Sequence, residues 1–326
     1  MKIFTHFDND ELEMAMITYN RPSFVKEWLD SCCQKIIDFN ILLSIYDSSE
    51  NEDTRDIVND YNKICKGYIK YVRLPSSTTG GYKYLYPILE TKAKYLMVVG
   101  DSRCHSMEGL AKNVFPNISS KYDLIVLSYY NDEKNDKKEF NDLESFLEEC
   151  FIPITCCGFT IFNMNVFALL RNDKREADRL NSLYRDKYGF AYLGYYLDCY
   201  SKSSKKSILL KSPWKELSSM KKHAYWHSQF YECWCDELCQ IMDSISDEYG
   251  DKDSVLKKTW KRLELDAFDR MIRIKESGAL KYSDYKRMKK FGYLRRVTDR
   301  SNTFCFVTMM PVFILKIIRK IQCLFK

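Results

Sequence analysis

Short apolar runs alternate along the first half of the chain with longer segments whose apolar residues recur every three or four positions. MAMITY (14–19), ILLSIYD (41–47), IKYVRL (69–74), YLMVVG (95–100) and DLIVLSYY (123–130) have the length and composition of buried strands. PSFVKEWLDSCCQKI (22–36) carries apolar residues at helical spacing behind a proline suited to a first helical turn. SSENEDTRDIVNDYNKIC (48–65) opens on polar and acidic residues, which favour the positive end of a helix dipole, and then becomes helical. GGYKYLYPILETKAK (80–94) predicts a turn and a helix interrupted at Pro87. Strand–helix–strand alternation of this kind predicts an α/β fold: a mainly parallel, Rossmann-like sheet flanked by helices on both faces.

The pattern changes further on. NDEKNDKKEFNDLES (131–145) reads as an exposed charged excursion, and CFIPITCCGFTIFN (150–163) as strand-like sequence. FAYLGYYLDCY (190–200) predicts a helix, and from about Trp214 the chain becomes helical and aromatic. No internal repeat is present. The expected organisation is a catalytic domain over 1–212, a helical extension over 213–298 and a basic amphipathic tail over 299–326.

Composition narrows the class. The chain has 326 residues, 45% apolar and 29% charged, which excludes a disordered chain and allows one large core or two smaller ones. The net charge of +6 hides an asymmetry. Residues 281–326 hold 12 Lys/Arg against 2 Asp/Glu, net +10, so the remaining 280 residues carry −4. The 13 cysteines are scattered, often within apolar runs, and the N-terminus is polar and acidic; both fit reduced thiols in a cytoplasmic protein. No run of about 20 apolar residues suggests a transmembrane span.

Ligands of such sheets sit at the carboxyl ends of the strands. Three of those ends are compact and polar: Thr18-Tyr19-Asn20-Arg21, Asp47-Ser48-Ser49 and Gly100-Asp101-Ser102-Arg103. With these in place, the chain resembles the family 2 glycosyltransferases, which have the GT-A fold, and among them the members that build bacterial surface or capsular polysaccharides. MAMITYNRPSFVKEWLDSC matches their first strand, turn and helix; ILLSIYDSSENEDTRDIVNDY matches the second strand, its Asp-Ser end and the helix after it; KYLMVVGDSR stands where their metal-binding strand end stands. The resemblance covers about the first 100 residues well and the region to about 210 loosely.

The resemblance implies transfer of a sugar from a nucleotide-diphosphate donor, UDP-linked by expectation, to a saccharide acceptor with inversion. Thr18, Tyr19, Asn20 and Arg21 would contact base and ribose, and Asp47, with Ser48 and Ser49, the nucleobase. Lys83, after the Gly80-Gly81 turn, would meet the diphosphate as a point charge. A surface role for Lys83 and a helix-cap role for Asp47 stand beside these readings.

Asp101 has no second acid two residues on; Arg103 stands there. Mg²⁺ or Mn²⁺ can be held by one carboxylate with diphosphate oxygens and waters, His105, His223 and His227 being further candidate ligands. Alternatively Arg103 neutralises the leaving diphosphate directly. Inversion needs a carboxylate base to deprotonate the acceptor hydroxyl. Asp198, the one acid in the 190–200 helix, is the first candidate and Asp186 the second; the family's usual Glu-Asp pair is absent.

His223, His227, Cys233, Cys235 and Cys239 could suggest zinc, but no Cys-x-x-Cys is present and Trp226, Phe230 and Trp234 share their spacing, so a packed core is the expectation. FCFVTMMPVFILKIIRKIQCLF (304–325) mixes Lys316, Arg319 and Lys320 with apolar residues, a composition suited to an anionic membrane surface. That places the protein at the inner face of the cell membrane and points to a lipid-linked saccharide acceptor, with no role for nucleic acid. Two rivals remain: a degenerate homologue that binds nucleotide or glycan without turnover, and a nucleotidyltransferase.

Overall fold

The computed structural model describes residue 7 and residues 11–65, 67–102, 105–118, 121–128, 136–211 and 229–324. It divides into two compact units, Met1–Lys221 and Lys222–Lys326.

The first unit is built on one eight-stranded sheet: β1 (Leu12–Thr18), β2 (Leu42–Asp47), β3 (Ile69–Arg73), β4 (Tyr95–Gly100), β5 (Leu124–Leu127), β6 (Asp136–Phe140), β7 (Thr160–Asn163) and β8 (Ser207–Lys211). Their order across the sheet is β3-β2-β1-β4-β7-β5-β8-β6. The four strands β3-β2-β1-β4 run parallel, as the alternation predicts. β7 turns antiparallel between β4 and β5, β5 and β8 are parallel, and β6 closes the edge antiparallel to β8. The sheet is therefore mixed, with a parallel half that carries the three polar strand ends.

β1, β2 and β4 are almost entirely buried, hence their long apolar runs, while β3 at the sheet edge is partly exposed. The helix Pro22–Phe39 puts Val25, Trp28, Leu29, Cys32 and Ile36 into the core and stops at Asn40. Asn40 takes the left-handed conformation (φ 54°), and its N–H reaches the carbonyls of Ile36 and Ile37. The helix Asp53–Cys65 begins with Asp53 and Asp56 in its first turn, as the dipole favours. The 80–94 stretch becomes two short helices, Gly80–Lys83 and Leu85–Glu90.

Three expectations change. The charged excursion contains an edge strand, β6, whose residues are mostly exposed, and leads into the helix Leu143–Ile154, capped by the Asp142 carboxylate on the Ser145 N–H at 2.8 Å. The apolar stretch 150–163 is thus helix first and strand β7 only from Thr160; fully buried helix and strand are alike in composition, so periodicity does not separate them. The expectation of reduced thiols throughout is corrected by a disulfide between Cys33 and Cys65, 32 residues apart. It joins two helices that pack side by side, a proximity that spacing along the chain cannot show.

The second unit is helical in its described residues, from Glu232 to Leu324. Trp260, Tyr231 and Phe304 pack together in its interior, with Tyr231 and Phe304 edge to face at 5.0 Å between ring centres. Cys233, Cys235 and Cys239 are fully buried, and burial pushes the Cys233 and Cys235 thiols well up. No group of three His, Cys, Asp or Glu among the described residues could hold a metal; His223 and His227 lie outside those residues.

Candidate functional site at the strand ends

Register sets the site. Thr18 is paired with Asp47 across β1 and β2, Ile17 with Gly100 across β1 and β4, and Asp47 with Arg73 across β2 and β3. Parallel strands in this register release their loops at one rim, so the three polar ends are neighbours.

The side chains confirm the meeting. Thr18 Oγ1 donates to Asp101 Oδ2 at 2.9 Å, and Arg21 Nη1 lies 3.2 Å from Asp101 Oδ1. Asn20, itself in the left-handed region (φ 52°), donates its N–H to Ser49 Oγ at 2.7 Å and accepts the Glu50 N–H at 3.0 Å. Tyr19 Oη donates to Glu50 at 3.1 Å, and the Lys83 ammonium stands 4.6 Å over the Tyr19 ring. Burial lowers the Lys83 pKa to about 8, against the pull of the Asp47 and Asp101 carboxylates, which favour its charged form. Lys83 is thus a buried cation facing both acids, not a solvated surface charge.

Asp47 is fully buried and does not cap the following helix, which begins at Asp53. Its Oδ1 accepts from the N–H and hydroxyl of Ser49 in a tight local turn. Its Oδ2 accepts from Tyr71 Oη at 2.8 Å and Arg73 Nη1 at 3.3 Å. Tyr71 and Arg73 are site residues that the sequence reading missed. Their signal was present: two positions apart on β3, they share a sheet face and emerge beside Asp47.

Asp101 is also buried, and desolvation raises its pKa, opposed by Arg21, Thr18 and the Ser102 N–H. Both its oxygens have protein partners. Arg103 lies outside the described residues. His105 is not brought to the rim: it is buried edge-on against Phe159 at 5.4 Å, with Nε2 2.8 Å from the Gly158 carbonyl. Among the described residues, then, no group of three His, Cys, Asp or Glu could hold a metal, and Asp101, already held by Thr18 and Arg21, is the acidic side chain at the end of β4.

The two base candidates part company. Asp198 lies on the helix Ala191–Ser201, where Tyr196 packs on Phe162 of β7 and Tyr192 on Tyr84. Two residues beyond Tyr196 is about 200° around a helix, and Asp198 accordingly points to the helix Lys174–Tyr184. It pairs there with Arg179 at 2.6 Å and accepts from Tyr184 Oη at 3.3 Å, and it also pairs with Lys202, one turn on from its own position, at 3.0 Å. The structure does not bring it to the strand ends. Asp186 is exposed in the loop after that helix, and the same loop's Tyr188 carbonyl accepts the Gly81 N–H at 2.8 Å. Gly81 has no room for a side chain: a Cβ would sit 2.8 Å from the Ala191 nitrogen. The Gly-Gly turn thus lets the Lys83 segment press against the 185–191 loop.

Beside the rim, Tyr84, Val98, Ile154, Cys157, Phe162 and Tyr196 enclose an apolar cavity of about 10 Å³, on the order of one water. These tyrosines are core; burial pushes the Tyr84 and Tyr196 phenols far up.

The strand order, the parallel half-sheet and the flanking helices define the GT-A fold. No family model matches the chain, and no curated protein matches it by sequence. Solved structures do match. The chain is similar to S. aureus TarS 1–349 in complex with UDP-GlcNAc, with a TM-score of 0.56 and 14% identity over 90% of this chain and 83% of that one. It is likewise similar to S. aureus TarS 1–349, with a TM-score of 0.53 and 12% identity over 91% and 90% of the two chains.

Proposed function

We propose that the protein is an inverting glycosyltransferase that takes a sugar from a nucleotide-diphosphate donor, a UDP-sugar, and delivers it to a saccharide acceptor. The observation that carries the reading is the convergence of Thr18, Tyr19 and Arg21 with Asp47 and Asp101, under a buried Lys83, at one rim of a GT-A sheet. The UDP-GlcNAc that TarS binds supports the donor class. Tyr19 offers a flat face to base or ribose, and Asp47 holds Tyr71 and Arg73 in place around the nucleotide. Arg21 and Lys83 supply positive charge for the diphosphate, and Asp101 keeps Arg21 oriented. Asp186, exposed next to the Gly80-Gly81 turn, is the proposed base for the acceptor hydroxyl. Synthesis of surface polysaccharide on a lipid-linked acceptor is the proposed setting.

A thermal-shift screen of UDP- and GDP-sugars, with and without Mn²⁺, tests the site. UDP-sugars should raise the melting temperature; if no nucleotide does, the site is not a donor site. A second reading has one observation in its favour: Asp47 and Asp101 spend all four oxygens on protein partners, as a nucleotide-binding homologue without turnover would tolerate. Release of UDP in the presence of acceptor separates the two, and release of pyrophosphate would instead mark a nucleotidyltransferase.

A further inference from the structure

The last helix of the second unit, Val312–Leu324, buries Leu315 completely and turns another face outward. Phe313 is 66% exposed, Ile317 53% and Ile321 49%. At about 100° per residue these three span about 80° of the helix surface, and Lys320 and Lys316 continue the same outward arc on the Phe313 side. Both lysines are exposed. A helix at an aqueous surface ordinarily turns its polar stripe outward; here the outward arc is apolar with a basic edge. Phe306 and Met309, on the preceding helix Ser301–Met309, are exposed as well.

This face is held in position. Lys275 Nζ donates to the carbonyls of Val307, Thr308 and Met310 at 2.6–2.7 Å, fixing the turn before Pro311. Arg319, on the face away from the exposed one, reaches Asp269 at 3.8 Å, and Lys316, at the basic edge of the outward arc, reaches Glu276 at 3.7 Å, so the helix lies along Phe268–Glu276.

We propose that the Phe313–Ile317–Ile321 face docks on an anionic lipid bilayer, lying in the plane of the surface. The three apolar side chains enter the acyl boundary, and Lys316 and Lys320 meet headgroup phosphates. Charge decides among occupants. Residues 281–326 carry a net +10, so a second copy of this face would meet its own lysines with like charge. A nucleic acid would leave the apolar arc in water. An anionic membrane satisfies both halves of the arc.

The test sediments the full chain with vesicles of phosphatidylcholine alone or mixed with phosphatidylglycerol. Wild type should bind the anionic vesicles at least about tenfold more tightly, with affinity falling as salt rises. The triple variant Phe313→Ser, Ile317→Ser, Ile321→Ser should lose binding, and Lys316→Gln with Lys320→Gln should reduce only the anionic preference. All five positions are exposed, and the long Lys316–Glu276 pair is solvent-screened, so the thermal melt of each variant should stay close to wild type. The proposal is overturned if wild type stays in the supernatant with anionic vesicles, or if the triple variant sediments as well as wild type. A dimer in sedimentation equilibrium that the triple variant dissolves, without vesicle binding, would give the face to a second copy instead. The readout is membrane binding, so the fate of the transferase reading does not decide it.

Discussion

Thr18 Oγ1 donates a 2.9 Å hydrogen bond to Asp101 Oδ2, tying the end of β1 to the end of β4 across 83 residues of chain. With Arg21 on the other oxygen, Asp101 is a buried carboxylate whose partners come from the end of β1 and the turn after it. Asp101→Asn keeps the shape and removes the charge that orients Arg21. It should cut UDP release by about 100-fold or more while shifting the melting temperature little. Initial-rate assays beside a thermal melt check it, and an Asn variant with full turnover would remove Asp101 from the site.

Lys83 gives the site a pH dependence. Its pKa is lowered to about 8 by burial, so it is charged below that value and neutral above it. A diphosphate prefers the charged form. UDP affinity should therefore be full near pH 7 and decline as pH rises through about 8, and binding will itself pull the pKa upward. Folding runs the other way: a lysine with a depressed folded pKa disfavours the folded state while protonated, and this contribution is relieved as pH rises above 8. Calorimetric titration of UDP into wild type and Lys83→Met across that range reads the effect. The variant should bind weakly with a flat profile, and an unchanged sloping profile would assign the titration to another group.

The packing of the Gly-Gly turn predicts a steric effect at one position only. In Gly81→Ala the new methyl would lie 2.8 Å from the Ala191 nitrogen and 3.0 Å from the Ala191 Cβ. Backbone on both sides leaves nothing to rotate away, so the variant should lose about 1–3 kcal/mol in urea denaturation. At Gly80 a Cβ meets only the Tyr188 carbonyl oxygen at 3.6 Å, and Gly80→Ala should be tolerated.

The two acids near the 190–200 helix should behave differently. Asp198→Asn loosens a cluster with Arg179, Lys202 and Tyr184, and should cost about 1–2 kcal/mol of stability while the folded protein keeps turnover. Asp186→Asn should leave the melt unchanged and abolish transfer. The reverse outcome would return the base role to Asp198.

The sequence alone determined the parallel half of the sheet. Strands buried on both faces read as apolar runs, and helices with one buried face must repeat near 3.6, so β1, β2, β4 and the helices at 22–39 and 53–65 were legible from pattern, and the edge strand β3 from its shorter run IKYVRL. It also determined that polar, compact segments stand at three strand ends. Tertiary structure alone decided the rest. β8 is a five-residue run whose sheet partners among the described residues, β5 and β6, lie far off in sequence, and β6 is an edge strand written in charged residues; neither has a strong local signal. The same holds for chemistry. Tyr71 and Arg73 joined Asp47 through strand register, Lys83 became a buried cation because the glycine turn packs closely, and Asp198 turned from the rim because helix phase sent it to Arg179. Cys33 met Cys65 because two helices lie side by side. Periodicity reports which face of an element is buried; which partner it is buried against depends on contacts between residues far apart in the chain, and these exist only once the chain has folded.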